Sequence, residues 1–223
     1  MIDPARFLSV LTDAGIHFVA GVPDSLLHSF CSCLIDSFPA HKHIVACSEG
    51  GAVGLAIGHH VATGDVPLVY LQNSGLGNVV NPIASLADSN VFRIPIILMI
   101  GWRSEVWDGD VQRDDEPQHV RQGLITLGQL NLLNIPYEVL DEHSDDFEAS
   151  VRKLVGTARR TGTPAALVIR NGTFGPYRRN EPPPRARIDI AGGCHRTLCR
   201  SDSVQRSSDL YDRDGRAGVV RDS

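Results

Sequence analysis

The sequence predicts an α/β fold, a doubly wound and mainly parallel sheet with helices on both faces. Three observations predict it. The strongest strand signals are continuous apolar runs rather than alternating ones, at residues 68–71, 94–100 and 165–169. Strands of that kind are buried on both faces, as in parallel sheets. The runs alternate along the chain with stretches of helical period. Short turns rich in glycine, proline and asparagine follow several of them, as where a buried strand feeds a helix.

The elements follow in order. Residues 4–14 are amphipathic, with Phe7, Leu8 and Leu11 on one stripe, and Gly15 closes the helix. Residues 17–20 form a short strand ending at Gly21-Val22-Pro23. Asp24 or Ser25 is expected to cap the next helix, which runs to about residue 36. Residues 44–47 form a strand, and 49–63 a helix closed by Gly64. Residues 68–71 are a buried strand, 77–87 helical, and 94–100 the most apolar strand. Residues 102–118 read as a long polar loop. Then come a helix at 124–133, a strand at 137–140, a helix at 144–161 and a last strand at 165–169.

Composition narrows the functional classes. The net charge is −5 and the isoelectric point near 6.0, which argues against nucleic acid as the main partner. No apolar run reaches the ~18 residues of a membrane span, and the first residues lack a signal-peptide pattern. A soluble cytoplasmic protein is expected. Five cysteines, an odd number, give no disulfide framework. Cys194-His195 with Cys199 fits no common zinc spacing.

In such sheets ligands sit beyond the carboxyl ends of strands. That puts residues 21–25, 48–49, 73–78 and 102–118 on one rim. Glu49 heads a helix of small and apolar residues. It is either a solvated residue opposing the helix dipole or a buried catalytic group. Gln72-Asn73-Ser74-Gly75-Leu76-Gly77-Asn78 follows a buried strand, and its glycines allow a ligand close to the backbone. It lacks the G-x-G-x-x-G spacing, so it is either a ligand loop or a tight turn. Gly21-Val22-Pro23-Asp24-Ser25 is either a Pro-fixed turn or a second such loop. Asp115-Glu116-Pro117-Gln118-His119 gathers titratable groups in the long loop.

Taken in order, these segments, with Asn81-Pro82 and Gly101-Trp102-Arg103, resemble the pyrimidine-binding domain of thiamine-diphosphate-dependent decarboxylases. Within that family the resemblance is to the phosphonopyruvate and sulfopyruvate branch, and it covers residues 1 to about 184. Ser48 departs from the pattern, which often has Asn before the glutamate. The resemblance implies the fold of that domain over residues 1–177, and thiamine diphosphate with Mg2+ as cofactors. It implies a 2-keto acid substrate, 3-phosphonopyruvate foremost, in phosphonate and antibiotic biosynthesis. Sulfopyruvate, with this chain as an α subunit, is the alternative.

The resemblance also implies roles. Glu49 matches the glutamate that hydrogen-bonds the aminopyrimidine and so activates the cofactor. Asn73, Ser74, Gly75, Gly77 and Asn78 match the loop that lines cofactor and substrate. Asp24, Ser25, Arg103 and Gln118 match positions near the substrate, Arg103 offering a planar fork to an acid headgroup. Asp24, Ser25 and His119 are candidates to hold that group or to protonate the product enamine.

The family's Mg2+ and diphosphate site lies in a second domain marked by Gly-Asp-Gly, which this sequence lacks. No metal ligand is therefore assigned here. The resemblance implies a diphosphate-binding domain or subunit as partner, in a homo- or hetero-oligomer. Residues 178–223 read as a Pro/Arg-rich disordered tail, with eight arginines and no lysine after Pro184. Read in a shifted codon frame, the tail permits a segment similar to the start of the diphosphate-binding domain. A frameshifted remnant, and a catalytically inactive chain, are thus further expectations.

Overall fold

The computed structural model describes residues 1–107 and 111–180. Expectations for the tail beyond residue 180, including its order, origin and cysteines, lie outside the described residues. So does the Asp108-Gly109-Asp110 segment.

Helix α1 (Pro4–Asp13) opens on Asp3, whose carboxylate accepts the amides of Ala5 and Arg6 at 2.7 and 3.0 Å. Its Phe7, Leu8 and Leu11 stripe is buried. Gly15 then takes a left-handed φ of 89° and turns the chain into strand β1 (Val19–Gly21). Helix α2 (His28–Ser37) starts later than expected. Leu27 holds its cap position, and no side chain caps it. Asp24 fails as a cap because its carboxylate turns inward and is buried. Strand β2 (His43–Val45) follows.

Helix α3 (Glu49–Thr63) has the expected ends. The Ser48 hydroxyl accepts the Gly51 amide at 3.2 Å, and Gly64 closes the helix at φ 79°. Strand β3 (Leu68–Gln72) passes into a 3-10 turn (Asn73–Gly75). Helix α4 (Leu76–Pro82) follows and widens into a π segment (Ile83–Ala87). Strand β4 (Ile97–Gly101) comes next.

The expected polar loop is a correction. It holds an antiparallel pair, β5 (Val106–Trp107) and β6 (Val111–Gln112), and helix α5 (Pro117–Leu132) begins inside it. Pro117 presets the first-turn φ, so Gln118 and His119 stand on a helix rather than a loop. Strand β7 (Tyr137–Leu140), helix α6 (Phe147–Thr161) and strand β8 (Ala165–Ile169) complete the order.

Six strands form one wholly parallel sheet in the order β2-β1-β3-β4-β8-β7. Alternate residues feed two cores. On one face Val19, Leu68, Tyr70, Ile97 and Met99 pack with α1, α2 and α6. On the other Ala20, Val69, Leu71, Leu98 and Ile100 pack with α3, α4 and α5. The predicted doubly wound architecture is thus the observed one. Strand order reverses between β1 and β3, so the loops after them diverge and leave a crevice at their carboxyl ends.

Candidate active site

At this crevice Glu49 is half-buried in the first turn of α3. The Asn78 side-chain amide donates to its Oε2 at 2.7 Å. Gly75 lies on the other side of the carboxylate. A Cβ there would sit 2.6 Å from Glu49 Cγ and Oε1. Gly75 has φ −77°, so the glycine provides room rather than an unusual backbone conformation. A Cβ on Gly50 would likewise approach the Asn78 carbonyl oxygen to 2.9 Å. Helix α3 and the loop after β3 therefore interlock through missing side chains and one amide.

Asn73 turns the other way. Its side chain is buried, and Nδ2 donates to Arg103 O and Thr126 Oγ1, both at 3.0 Å. Its Oδ1 accepts the Arg103 amide at 3.2 Å. Both amide hydrogens are used, so Asn73 ties the loop after β4 to α5 and offers no donor outward. Ser74 is exposed and accepts from Gln72 Nε2 at 2.6 Å. Gly77 is exposed with nothing within 4 Å of an added Cβ, an open floor beside Asn78.

The next group is built on Arg103. Its Nε donates to Asp115 Oδ2 at 2.7 Å, its Nη2 to Asp115 Oδ1, and its Nη1 to Ser25 Oγ at 3.1 Å. Asp115 also accepts the Ser104 and Glu116 amides, at 3.0 and 2.8 Å. The Arg103 guanidinium holds the Asp115 carboxyl far below the usual carboxylate range.

Asp24 is only 5% exposed, and a Cβ on Gly101 would overlap its carboxylate. Neither carboxylate oxygen has a hydrogen-bond partner. Burial pushes its pKa up. The amides of residues 25–27 and the Arg103 charge oppose that shift without reversing it. An acid in this state is suited to hold a proton and pass it on.

His119 is buried on α5, with Nδ1 3.5 Å from Gln72 Nε2 and Nε2 3.5 Å from Glu116 Oε2. Gln118 is exposed, and its amide donates to Glu116 Oε2 at 2.5 Å. Two clusters thus meet at the 72–78 loop. One is Glu49, Ser74, Gly75, Gly77 and Asn78. The other is Arg103, Asp115 and Ser25, with Asp24 alongside. His119 adjoins Gln72. Gln118 is held on Glu116 and makes no contact with Arg103.

Further residues at this rim were not singled out in the sequence. Glu105 is fully buried; its Oε2 accepts the Asn171 amide at 2.8 Å, and its Oε1 lies 3.5 Å from Arg113 Nη1. Arg170 stacks between Trp102 and Trp107, 4.9 and 4.1 Å from their ring centroids, and donates to Val106 O at 3.0 Å. Arg170 and Asn171 directly follow β8, so position beyond a strand's carboxyl end was the available signal. Arg113 stands in a charged run that reads as solvated surface. Among the described residues no three His, Cys, Asp or Glu side chains cluster as a metal site, and no helix is long and apolar enough to cross a membrane.

The site is thus a half-buried carboxylate clasped at a helix start beside a glycine loop, on a wholly parallel sheet. Residues 5–127 match the family described as thiamine pyrophosphate enzyme, N-terminal TPP binding domain, and the chain belongs to that family. Among relatives it is 31% identical over 186 residues to a phosphonopyruvate decarboxylase of Streptomyces viridochromogenes, covering 83% of this chain and 45% of that one. It is 31% identical over 159 residues to a sulfopyruvate decarboxylase subunit alpha of Methanothermobacter thermautotrophicus, covering 71% of this chain and 90% of the relative. The chain therefore spans less than half of the phosphonopyruvate decarboxylase and most of the alpha subunit. The fold resembles that of benzoylformate decarboxylase from Polynucleobacter necessarius, with TM-score 0.56 and 19% identity over 76% of this chain and 30% of that one.

Proposed function

We propose that this chain supplies the pyrimidine-binding half of a thiamine-diphosphate-dependent decarboxylase. Its substrate is a 2-keto acid with a tetrahedral acid headgroup, 3-phosphonopyruvate giving phosphonoacetaldehyde and CO2. The observation that carries the reading is the Glu49 clasp, with Asn78 on Oε2 and Gly75 leaving room at Oε1. A half-buried carboxylate with one oxygen held and the other beside open backbone fits a heteroaromatic ring nitrogen. When bound, thiamine diphosphate supplies the electron sink for the pair left by the departing carboxylate.

This chain's own residues do the rest. Glu49 holds and returns a proton at the ring nitrogen, and Ser74, Gly75 and Gly77 give the ring access. Asn78 fixes the Glu49 carboxylate, and Asn73 fixes the loop. Asp24 and His119 are the groups placed to protonate the product carbanion.

The partner is a diphosphate-binding domain or subunit, which would bring Mg2+. Its docking face is the outer side of α3 and α4, where Leu55, Val61 and Val80 are 40%, 72% and 38% exposed. A second reading, the alpha subunit of a sulfopyruvate decarboxylase, is favoured by the 90% coverage of such a subunit.

The test is reconstitution. The purified chain is mixed with thiamine diphosphate, Mg2+ and a diphosphate-binding domain from a relative. Aldehyde and CO2 are then measured from 3-phosphonopyruvate and from sulfopyruvate. The chain alone should give no turnover, and the mixture should turn over one keto acid. Glu49→Gln should lower that rate about 100-fold or more, the range for a lost acid–base group. Robust turnover by the chain alone would refute the half-site. No turnover of either keto acid in the mixture would leave only a catalytically inactive homologue.

A further inference from the structure

Beside Arg103 lies a polar cavity of about 370 Å³. Ser25, Trp102, Arg103, Arg113, Asp115 and Asn171 are among the residues that line it, as is exposed Asp114. It gathers loops after three strands, β1, β4 and β8. Backbone contacts connect it to the Glu49 cluster, since Asn73 holds Arg103 and Gly75, two residues on, abuts Glu49.

Two guanidinium groups, Arg103 and Arg113, and two carboxylates, Asp114 and Asp115, share this wall. Asp115 already accepts four donors, two from Arg103 and two from backbone amides, so it is neutralised within the wall. Arg103 in turn is committed to Asp115 through Nε and Nη2 and to Ser25 through Nη1, which leaves one hydrogen on each terminal nitrogen. Arg113 differs. Among the described residues its one ionic contact is a 3.5 Å approach to Glu105, and its side chain is 48% exposed. The Glu105 carboxylate has its other oxygen on the Asn171 amide, so it does not hold Arg113 tightly. Arg113, Asn171 and Ser25 therefore line one space.

We propose that this cavity takes the tetrahedral acid headgroup of the substrate and that Arg113, on the β5–β6 hairpin, is its selectivity determinant. The proposal rests on the decarboxylase reading above. It shifts the headgroup contact from Arg103, which is the post that shapes the wall, to Arg113, whose fork is held, among the described residues, only by the 3.5 Å approach to Glu105. A guanidinium suits this task because its planar donors engage two oxygens of a phosphonate or sulfonate at once. The keto end of the substrate would then lie toward the Glu49 side of the loop.

The test uses the full chain without cofactor or partner. The chain has two tryptophans, Trp102 in the cavity wall and Trp107 on the same hairpin, so intrinsic fluorescence reports occupancy. The probes are phosphonoacetate and, as a competitor lacking the tetrahedral group, acetate. Phosphonoacetate should give a saturable change that acetate does not reproduce. Arg113→Gln should weaken it about tenfold or more, as loss of a charge-assisted pair does.

Removing Arg113 also strips buried Glu105 of its cation, so Arg113→Lys is the second variant. It keeps a charge beside Glu105 but lacks the planar fork, and should retain the wild-type melting temperature while still binding weakly. Wild-type affinity in both variants, or no saturable change in the wild type, would overturn the proposal. The decarboxylase reading fails separately. If phosphonoacetate binds through Arg113 but the reconstituted enzyme decarboxylates neither keto acid, that reading falls and the subsite stands. If Arg113→Gln turns over 3-phosphonopyruvate with unchanged KM, the subsite falls and the reading stands.

Discussion

Glu49 and Asp24 are both carboxylates on the rim, and their surroundings set them to different tasks. Glu49 is half-exposed and clasped by Asn78. Its neighbour Gly75 has an ordinary φ of −77°, so alanine there would fit the backbone but collide with Glu49 Cγ and Oε1 at 2.6 Å. Gly75→Ala should thus leave the melting temperature within a few degrees and lower reconstituted activity about tenfold or more. Unchanged activity would mean that the Glu49 position does not matter.

Asp24 carries a pH signature. Burial raises its folded pKa above the ordinary 3.8. Below pH 3.8 both folded and unfolded chains hold the proton, and ionisation makes no difference to stability. As the pH rises from 3.8 through the raised value, the unfolded chain ionises first and stability falls; above that value the loss is constant. Asp24→Asn removes this loss. It should raise the melting temperature at pH 8, with the gain vanishing near pH 3.5. Thermal melts of both proteins across that range check it, and a pH-independent difference would contradict it.

Among the elements, α3 was the most legible. Gly64 past its end acts as expected, and Ser48, which caps its start, is a local signal of the same kind. Ser48→Ala should cost about 1 kcal/mol of stability, measured by urea unfolding. The apolar strands β7 and β8 also fell where their runs placed them. The start of α2 did not, because Asp24 is a good cap by type but is recruited inward by Gly101. The start of α5 was hidden because Val120 and Leu124 face outward and blur the helical period.

The hairpin β5–β6 is too short to leave a pattern. Its anchor, Arg170 between two tryptophans, is a contact between residues more than sixty positions apart. Arg170→Ala should loosen this hairpin selectively. Amide exchange should quicken at Val106 and Gln112 but stay slow in β3 and β4. Uniform exchange would show that the hairpin stands without the clamp.

At the scale of the molecule, the order of candidate loops along one rim was readable because a parallel sheet gathers the ends of distant strands. Which way each side chain points was not. Asn73 looks like its neighbours in sequence, yet Thr126 and Arg103 draw it inside. The outer face of α3 carries Gly54 and Gly58 with nothing within 4 Å of an added Cβ, and Val61 is 72% exposed. If that face receives the diphosphate-binding partner, Val61→Asp should abolish association in sedimentation experiments while the chain's own melting temperature stays unchanged. Intact association would move the docking face elsewhere.

The sheet also ends on a very short outer strand, β2, three residues from His43 to Val45. A long, flat, apolar border would offer its unpaired amides and carbonyls to neighbouring molecules and invite stacking into fibrils. Three residues preceded by Lys42 give such stacking little to template on. That brevity bears on colloidal behaviour rather than chemistry, since it favours concentrated samples that stay clear long enough for titration and reconstitution.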